Sequence, residues 1–174
     1  MSCSADLIEV TSACRGMTRA PVVSACLLPL ALGAQAPSVP EDFAIRFEGG
    51  LCSGDTIDTF KGTYTRHIDV ERAATATIRL SPDQRQRLFE LVTVVGFFVY
   101  PESFNPRTPW VRIPAPLYVI TVRLSGVEHT VRWNDMDSPL PEAERLRQFI
   151  RGVYTFFEAF PDVRSLPKQE AGCA

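Results

Sequence analysis

Residues 117–133 read LYVITVRLSGVEHTVRW, and this stretch decides the fold. Apolar and polar residues alternate on both sides of Ser125-Gly126, a pattern typical of two antiparallel strands joined by a two-residue turn. Counting outward from the turn fixes the register and places each alternating set on one face. The predicted pairs are Leu124–Val127, Val122–His129, Ile120–Val131 and Tyr118–Trp133 on the apolar face, with Arg123–Glu128 and Thr121–Thr130 on the other.

The sequence also predicts two amphipathic helices. The first begins at SPDQ, where Ser81 and Gln84 can form a capping box, and ends at Gly96. The second begins with a cap in residues 138–141, and Pro161 ends it. Each has an apolar stripe at helical spacing, which predicts burial against the sheet. These stripes contain Leu88, Leu91, Val92 and Val95 in the first helix, and Leu146, Phe149, Ile150, Val153, Phe157 and Phe160 in the second.

Further strands are predicted before the first helix. Phe43, Ile45 and Phe47 alternate with small or charged residues up to Gly49-Gly50, which indicates a half-buried strand. Two Thr-rich segments with β-branched or aromatic residues follow. These segments are residues 56–68 and residues 76–80.

Together these elements predict an α+β fold: an antiparallel sheet of four to five strands with two helices packed on one face. We expect a single domain over residues 37–165 and a disordered tail over residues 166–174.

Residues 1–36 have the pattern of an N-terminal extension followed by a signal peptide. Residues 20–34 contain no charge, Arg19 precedes them, and Ala34-Gln35-Ala36 resembles a cleavage site. Met17 is the expected true start, since the upstream residues include acidic side chains. The alternatives are cleavage after residue 34, lipid attachment at Cys26, a leader that stays attached, and no export. The prediction is an exported protein, periplasmic or extracellular, whose mature chain has no membrane span.

Composition narrows the class of function. The chain has 174 residues, 22% of them charged, and a formal net charge of −2. A nucleic-acid-binding surface requires an excess of Lys and Arg, so nucleic acid is not an expected partner. The phosphate-binding and dinucleotide-binding glycine motifs and the HExxH zinc motif are missing from the sequence. We therefore expect no cofactor and no metal site.

Two cysteines remain after the extension, Cys52 and Cys173, and the chain has no CxxC pair. In an oxidising compartment they can form one disulfide, and two free thiols are the alternative.

Catalytic residues have weak sequence signals. Residues 50–54, GLCSG, resemble a nucleophile elbow with Cys52 at its centre, but the elbow requires a helix immediately afterwards and the sequence predicts a strand. His129 is expected to be a packed, hydrogen-bonded histidine on the inner hairpin face. A small hydrolase using Cys52 or His129 is an alternative. Asp135 and Asp137 are expected to lie in a turn rather than to bind Ca²⁺.

The segment at residues 99–116 is the expected binding loop. Five prolines stiffen it, and it is longer than most connections between elements. Trp110 lies between Arg107 and Arg112, and these residue types are enriched at binding hot spots. The alternative is that Trp110 folds back and covers the core or the sheet edge.

Parts of the sequence resemble known bacterial proteins. FEGGLCSGDTIDTFKGTYTRH, LSPDQRQRLFELVTVVGFFVYP and LYVITVRLSGVEHTVRW are similar to small exported bacterial domains of unknown function and, more distantly, to the emfourin family of metalloprotease inhibitors. The likeness covers roughly residues 43–155, and it departs from that family at residues 51–76 and in the proline-rich loop. Matching positions are Gly49, Gly50, Phe97, Tyr118, Val122, His129, Thr130 and Val131.

The resemblance implies inhibition of a secreted metalloprotease, although no inhibitory residue can be assigned. From the residues themselves we expect an exported, non-enzymatic domain that binds a protein or a cell-envelope component through the loop at residues 99–116.

Overall fold

The computed structural model describes residues 38–51, 54–69, 71–109 and 112–169. The extension at residues 1–36, Cys52, Trp110 and Cys173 lie outside the described residues. The strands are β1 (Ala44–Gly50), β2 (Thr56–Asp58), β3 (Thr63–His67), β4 (Ala73–Thr77), β5 (Ser103–Phe104), β6 (Leu117–Leu124) and β7 (Val127–Asn134). The helices are α1 (Pro82–Val95), α2 (Pro141–Glu158) and α3 (Pro161–Arg164), with a 3₁₀ turn at Phe97–Val99.

The hairpin β6–β7 has the predicted register. Leu124 pairs with Val127, and the ladder continues in step to Tyr118 opposite Trp133. On the outer face the Thr121 and Thr130 hydroxyls are 2.9 Å apart. The hairpin prediction is therefore confirmed.

The fold is α+β, as predicted, but its sheet is larger and mixed. In the described part of the chain seven strands lie in the order β4-β3-β2-β1-β6-β7-β5, and β5 runs parallel to β7. The segment at residues 56–68 forms two strands because the chain turns at Gly62, which has a φ of 68°. The predicted count of four to five antiparallel strands was therefore too low, and β5 makes the sheet mixed.

The first helix has the predicted ends. Ser81 and Gln84 form both halves of the capping box, and Gly96 adopts the left-handed conformation. The second helix differs, since its N-cap is Leu140 and no side chain caps it. The Ser138 hydroxyl instead donates to the Arg107 carbonyl at 3.2 Å. The prediction of a cap at Ser138 was wrong because a tertiary contact uses that hydroxyl.

Pro161 ends α2 as predicted, but it also begins α3, which the sequence analysis did not predict. Pro is well tolerated in a first helical turn, where its missing N–H is not needed. Val163 is fully buried, and Leu166 packs against the core just beyond the expected domain end.

The helices cover the sheet face that carries the alternating apolar residues. Ile45, Phe47, Ile120, Val122 and Val131 are fully buried on this face. The opposite face carries polar side chains. Within the described ranges no helix is long and apolar enough to cross a membrane.

Asp42 holds the hairpin turn. Its carboxylate accepts hydrogen bonds from the backbone N–H groups of Ser125 at 2.9 Å and Gly126 at 2.6 Å. The hydrogen bond from Gly126 is the main reason that the pKa of Asp42 is lowered from 3.8. Because the pKa of Asp42 is lower in the folded than in the unfolded chain, Asp42 stabilises the fold at pH values above its unfolded-state pKa. This stabilisation is lost as the pH falls through the folded-state pKa.

We therefore expect Asp42→Ala to lower the melting temperature at pH 7, and this deficit to shrink as the pH falls to about 2.5. Thermal unfolding followed by circular dichroism measures both. Glu41→Ala, which removes the neighbouring exposed carboxylate, is the control and should have little effect at either pH. An Asp42→Ala deficit that is independent of pH would contradict the assignment.

Candidate functional site

One end of the sheet gathers most of the segments that the sequence analysis singled out. Gly50 pairs with Leu117, and Leu117 pairs with Asn134, so β1 and β7 finish where β6 begins. We call this end, comprising residues 49–51, 107–109, 112–117 and 134–140, the loop end.

At the loop end, backbone lies directly on backbone. Gly49 has a φ of 145°, and a Cβ there would lie 2.3 Å from the Leu117 carbonyl oxygen. A Cβ on Gly54 would lie 2.0 Å from the Gly49 carbonyl oxygen. Both glycines are therefore required for close packing, which explains two glycines of the GGLCSG stretch without a catalytic role. Cys52 itself is outside the described residues.

The proline-rich segment is attached to the body at both ends. Its first half contains β5 (Ser103–Phe104), and Phe104 packs on Trp133 with ring centroids 5.9 Å apart. The Arg132 N–H donates to the Glu102 carbonyl at 2.7 Å. At its far end the Asp135 N–H donates to the Pro116 carbonyl at 2.9 Å.

Two neighbouring residues hold the middle of the segment. Ser138 binds the Arg107 carbonyl, as described above, and the Arg112 guanidinium donates to both oxygens of Asp137 at 3.0 and 3.1 Å. The chain on both sides of Trp110 is therefore tied to residues 137–138. No carboxylate pairs with the exposed Arg107 guanidinium in the described part of the chain.

Exposed apolar side chains lie along the same end. Ile113 is 86% exposed, Leu117 55%, Leu140 44% and Leu51 39%. Sequence analysis missed all four, although Leu117 gave a signal: it opens β6 one residue out of phase with the buried alternation. Four large exposed apolar side chains at one end of the sheet make this end the candidate interaction site.

A charged cluster joins helix α2 to the loop end. Arg147 of α2 donates to both oxygens of Asp135 at 2.8 Å and to the Ser138 carbonyl at 2.9 Å. Its guanidinium also lies over the Trp133 ring, 5.7 Å from the centroid. The hydrogen bond to Asp135 is the main cause of the raised pKa of Arg147. Asp135, considered above for Ca²⁺, therefore accepts two hydrogen bonds from Arg147.

His129 lies away from the loop end. It pairs with Val122, five residues along β6 from Leu117, which corresponds to about 17 Å of strand. Its Nε2 is 2.8 Å from the Tyr100 carbonyl oxygen, which can only accept, so Nε2 donates. The ring stacks on Phe98 with centroids 5.8 Å apart. The imidazole is thus partly buried and hydrogen-bonded.

A second polar cluster joins β3 to α2. The Tyr64 hydroxyl contacts Asp55 and Glu158, and the Arg66 guanidinium contacts the same two carboxylates. Burial is the main cause of the raised pKa of Tyr64. This network gives the Tyr64 hydroxyl and the Arg66 guanidinium their hydrogen-bond and ion-pair partners. It was not expected from the sequence, because its members come from distant segments.

Within the described residues, no three His, Cys, Asp or Glu side chains converge as a metal-binding group. Comparison with protein-family models, curated proteins and solved structures gives no significant match. The resemblance to the emfourin family stays a prediction from the sequence, and the two alternatives for Cys52 and Cys173, one disulfide or two free thiols, stay open.

We expect Asp135→Ala to reduce the free energy of unfolding by about 2–3 kcal/mol, because it leaves the partly buried Arg147 without its main acceptor. Arg147→Ala combined with Asp135→Ala should cost less than the sum of the single changes, since the second removes a charge already unpaired.

Urea unfolding measures these free energies. Glu142→Ala, which breaks an exposed ion pair with Arg145 on the same helix, is the control and should change stability by no more than about 0.5 kcal/mol. Equal effects of Asp135→Ala and Glu142→Ala would contradict the supporting role of the cluster.

Proposed function

We propose that this chain is an exported, non-enzymatic domain that binds a protein or cell-envelope component, most favourably a protein, through the loop end. The observation that carries the proposal is a proline-rich segment fixed at both ends beside exposed apolar side chains. Export is inferred from the uncharged run at residues 20–34 and the cleavage-like triplet that follows it.

Attachment of the segment favours recognition because it lowers the cost of binding. A free loop loses conformational entropy when a partner orders it, whereas a loop already held by β7, Asp137 and Ser138 loses less. Burial of the exposed parts of Ile113 and Leu117 then contributes directly to affinity.

The charged residues of the loop end suggest the chemistry of the partner. Arg112 is neutralised by Asp137, but Arg107 is exposed, and no described carboxylate neutralises it. A partner that offers an apolar side chain with a carboxylate beside it would match this surface. Trp110, between the two arginines in sequence, would add a further anchor.

We expect Leu117→Asp to reduce partner capture at least about tenfold, because it places a charge in the apolar contact. The chain is immobilised, exposed to envelope extract and cross-linked, and the captured species is quantified by mass spectrometry. Val127→Asp is the matched control: Val127 is 57% exposed against 55% for Leu117, but it lies at the opposite end of the hairpin.

Trp110→Ala, made in parallel, should also reduce capture of the same species. Equal capture by wild type, Leu117→Asp and Trp110→Ala would contradict binding through the loop end. Equal loss with Val127→Asp would show a general effect of the added charge and would also contradict it.

A further inference from the structure

The sheet has an open edge at β4, far from the loop end. The strand order places β4 at one end of the sheet, and β3 is the one strand that pairs with it among the described residues. Residues Ala73, Thr75 and Thr77 are exposed along it. We call the side of β4 that faces away from β3 the β4 edge.

Hydrogen bonds at the two ends of the β3–β4 ladder show which backbone groups face this edge. The Ile78 N–H donates to the Gly62 carbonyl, and the Ile68 N–H donates to the Arg72 carbonyl, both at 2.8 Å. In an antiparallel pair, hydrogen-bonded positions alternate with outward-facing ones. Even-numbered residues of β4 therefore bond to β3. The N–H and C=O groups of Ala73, Thr75 and Thr77 face outward, and no hydrogen bond from elsewhere in the described chain reaches them.

The side chains of β4 do not supply the usual protection of an edge strand. Natural edge strands avoid pairing with other chains by carrying Lys, Pro, a bulge or an inward charge. β4 reads AATAT, contains none of these side chains, and pairs with β3 at every position without a bulge. Its small side chains leave the backbone accessible.

The charges at the two ends of β4 are opposite in sign, so two antiparallel copies of this edge would be complementary. β4 runs from Ala73 to Thr77 and is centred on Thr75, with Glu71 two residues before it and Arg79 two residues after it. Both are exposed, and neither side chain has an ion-pair partner among the described residues. In an antiparallel pairing centred on Thr75, Glu71 of each copy would face Arg79 of the other. A parallel pairing would place like charges together.

We propose that a second copy of this chain pairs with the β4 edge, antiparallel and about a two-fold axis through Thr75. Ala73 of each copy faces Thr77 of the other, and Thr75 faces itself. Each of these three pairs exchanges two hydrogen bonds, about six in total, and the two sheets become continuous. Dimerisation here leaves the loop end of each copy free, so this proposal does not depend on the proposed function.

Sedimentation equilibrium of the full chain, from micromolar to near-millimolar concentration, tests the pairing. We expect a reversible monomer–dimer equilibrium. Thr75→Lys should raise its dissociation constant at least about tenfold, because the two lysines meet on the axis.

Thr65→Lys is the matched control. Thr65 faces Thr75 on β3, so this variant adds the same charge and loses the same hydroxyl contact, but it lies one strand away from the axis. It should weaken the dimer by a much smaller factor.

A charge exchange tests the register. Glu71→Arg and Arg79→Glu should each weaken the dimer, and the double variant should restore it to near the wild-type constant. Three results would each overturn the proposal. The chain could stay monomeric at every concentration, Thr75→Lys and Thr65→Lys could weaken the dimer equally, or the double variant could dimerise no better than the single variants. A monomer that instead captures an extended peptide at this edge would also overturn it.

Discussion

The close approach of β1 to β6 at Gly49 is the constraint on which the loop end depends. Gly49 lies so near Leu117 and Tyr118 that no side chain fits between the strands. The Tyr154 hydroxyl donates to the Gly49 carbonyl at 2.7 Å, so helix α2 is joined to the same point of the backbone. The positions of Leu51 and Leu117 both follow from this contact.

A second set of contacts fixes the position of the proline-rich segment. Arg147 binds Asp135 and the Ser138 carbonyl from α2, and residues 137–138 then hold the segment on both sides of Trp110. The charged groups in these contacts pair with each other, Arg147 with Asp135 and Arg112 with Asp137. The buried cluster therefore supports the loop end with different side chains from the exposed apolar residues through which we propose that it binds a partner.

Sequence reasoning succeeded where the determining interactions are local. The hairpin register follows from a two-residue turn, and the start of α1 follows from a capping box that spans four residues. It failed where distant residues compete. Strand β5 has two residues, too few for a periodic signal, and its partner in β7 lies 29 positions away in the pairing of Ser103 with Arg132. Ser138 was expected to cap α2, but it binds Arg107.

For the candidate site, the sequence identified the segment but not its supports. Arg107 and Arg112 lie at the loop end, yet Arg112 is neutralised by Asp137, a residue assigned only to a turn. The apolar residues Ile113 and Leu117 gave little signal, because exposure depends on how the segment is attached and not on its composition.

The register of β1 on β6 can be measured directly. The Gly49 N–H is directed toward Asp55, so Gly49 and Tyr118 form a non-hydrogen-bonded pair, whose Cα atoms are typically about 4.5 Å apart. A two-dimensional nuclear Overhauser experiment on the isotope-labelled chain should therefore show a strong cross-peak between the Hα protons of Gly49 and Tyr118. A Tyr118 Hα that instead contacts the Hα of a different β1 residue would contradict the account.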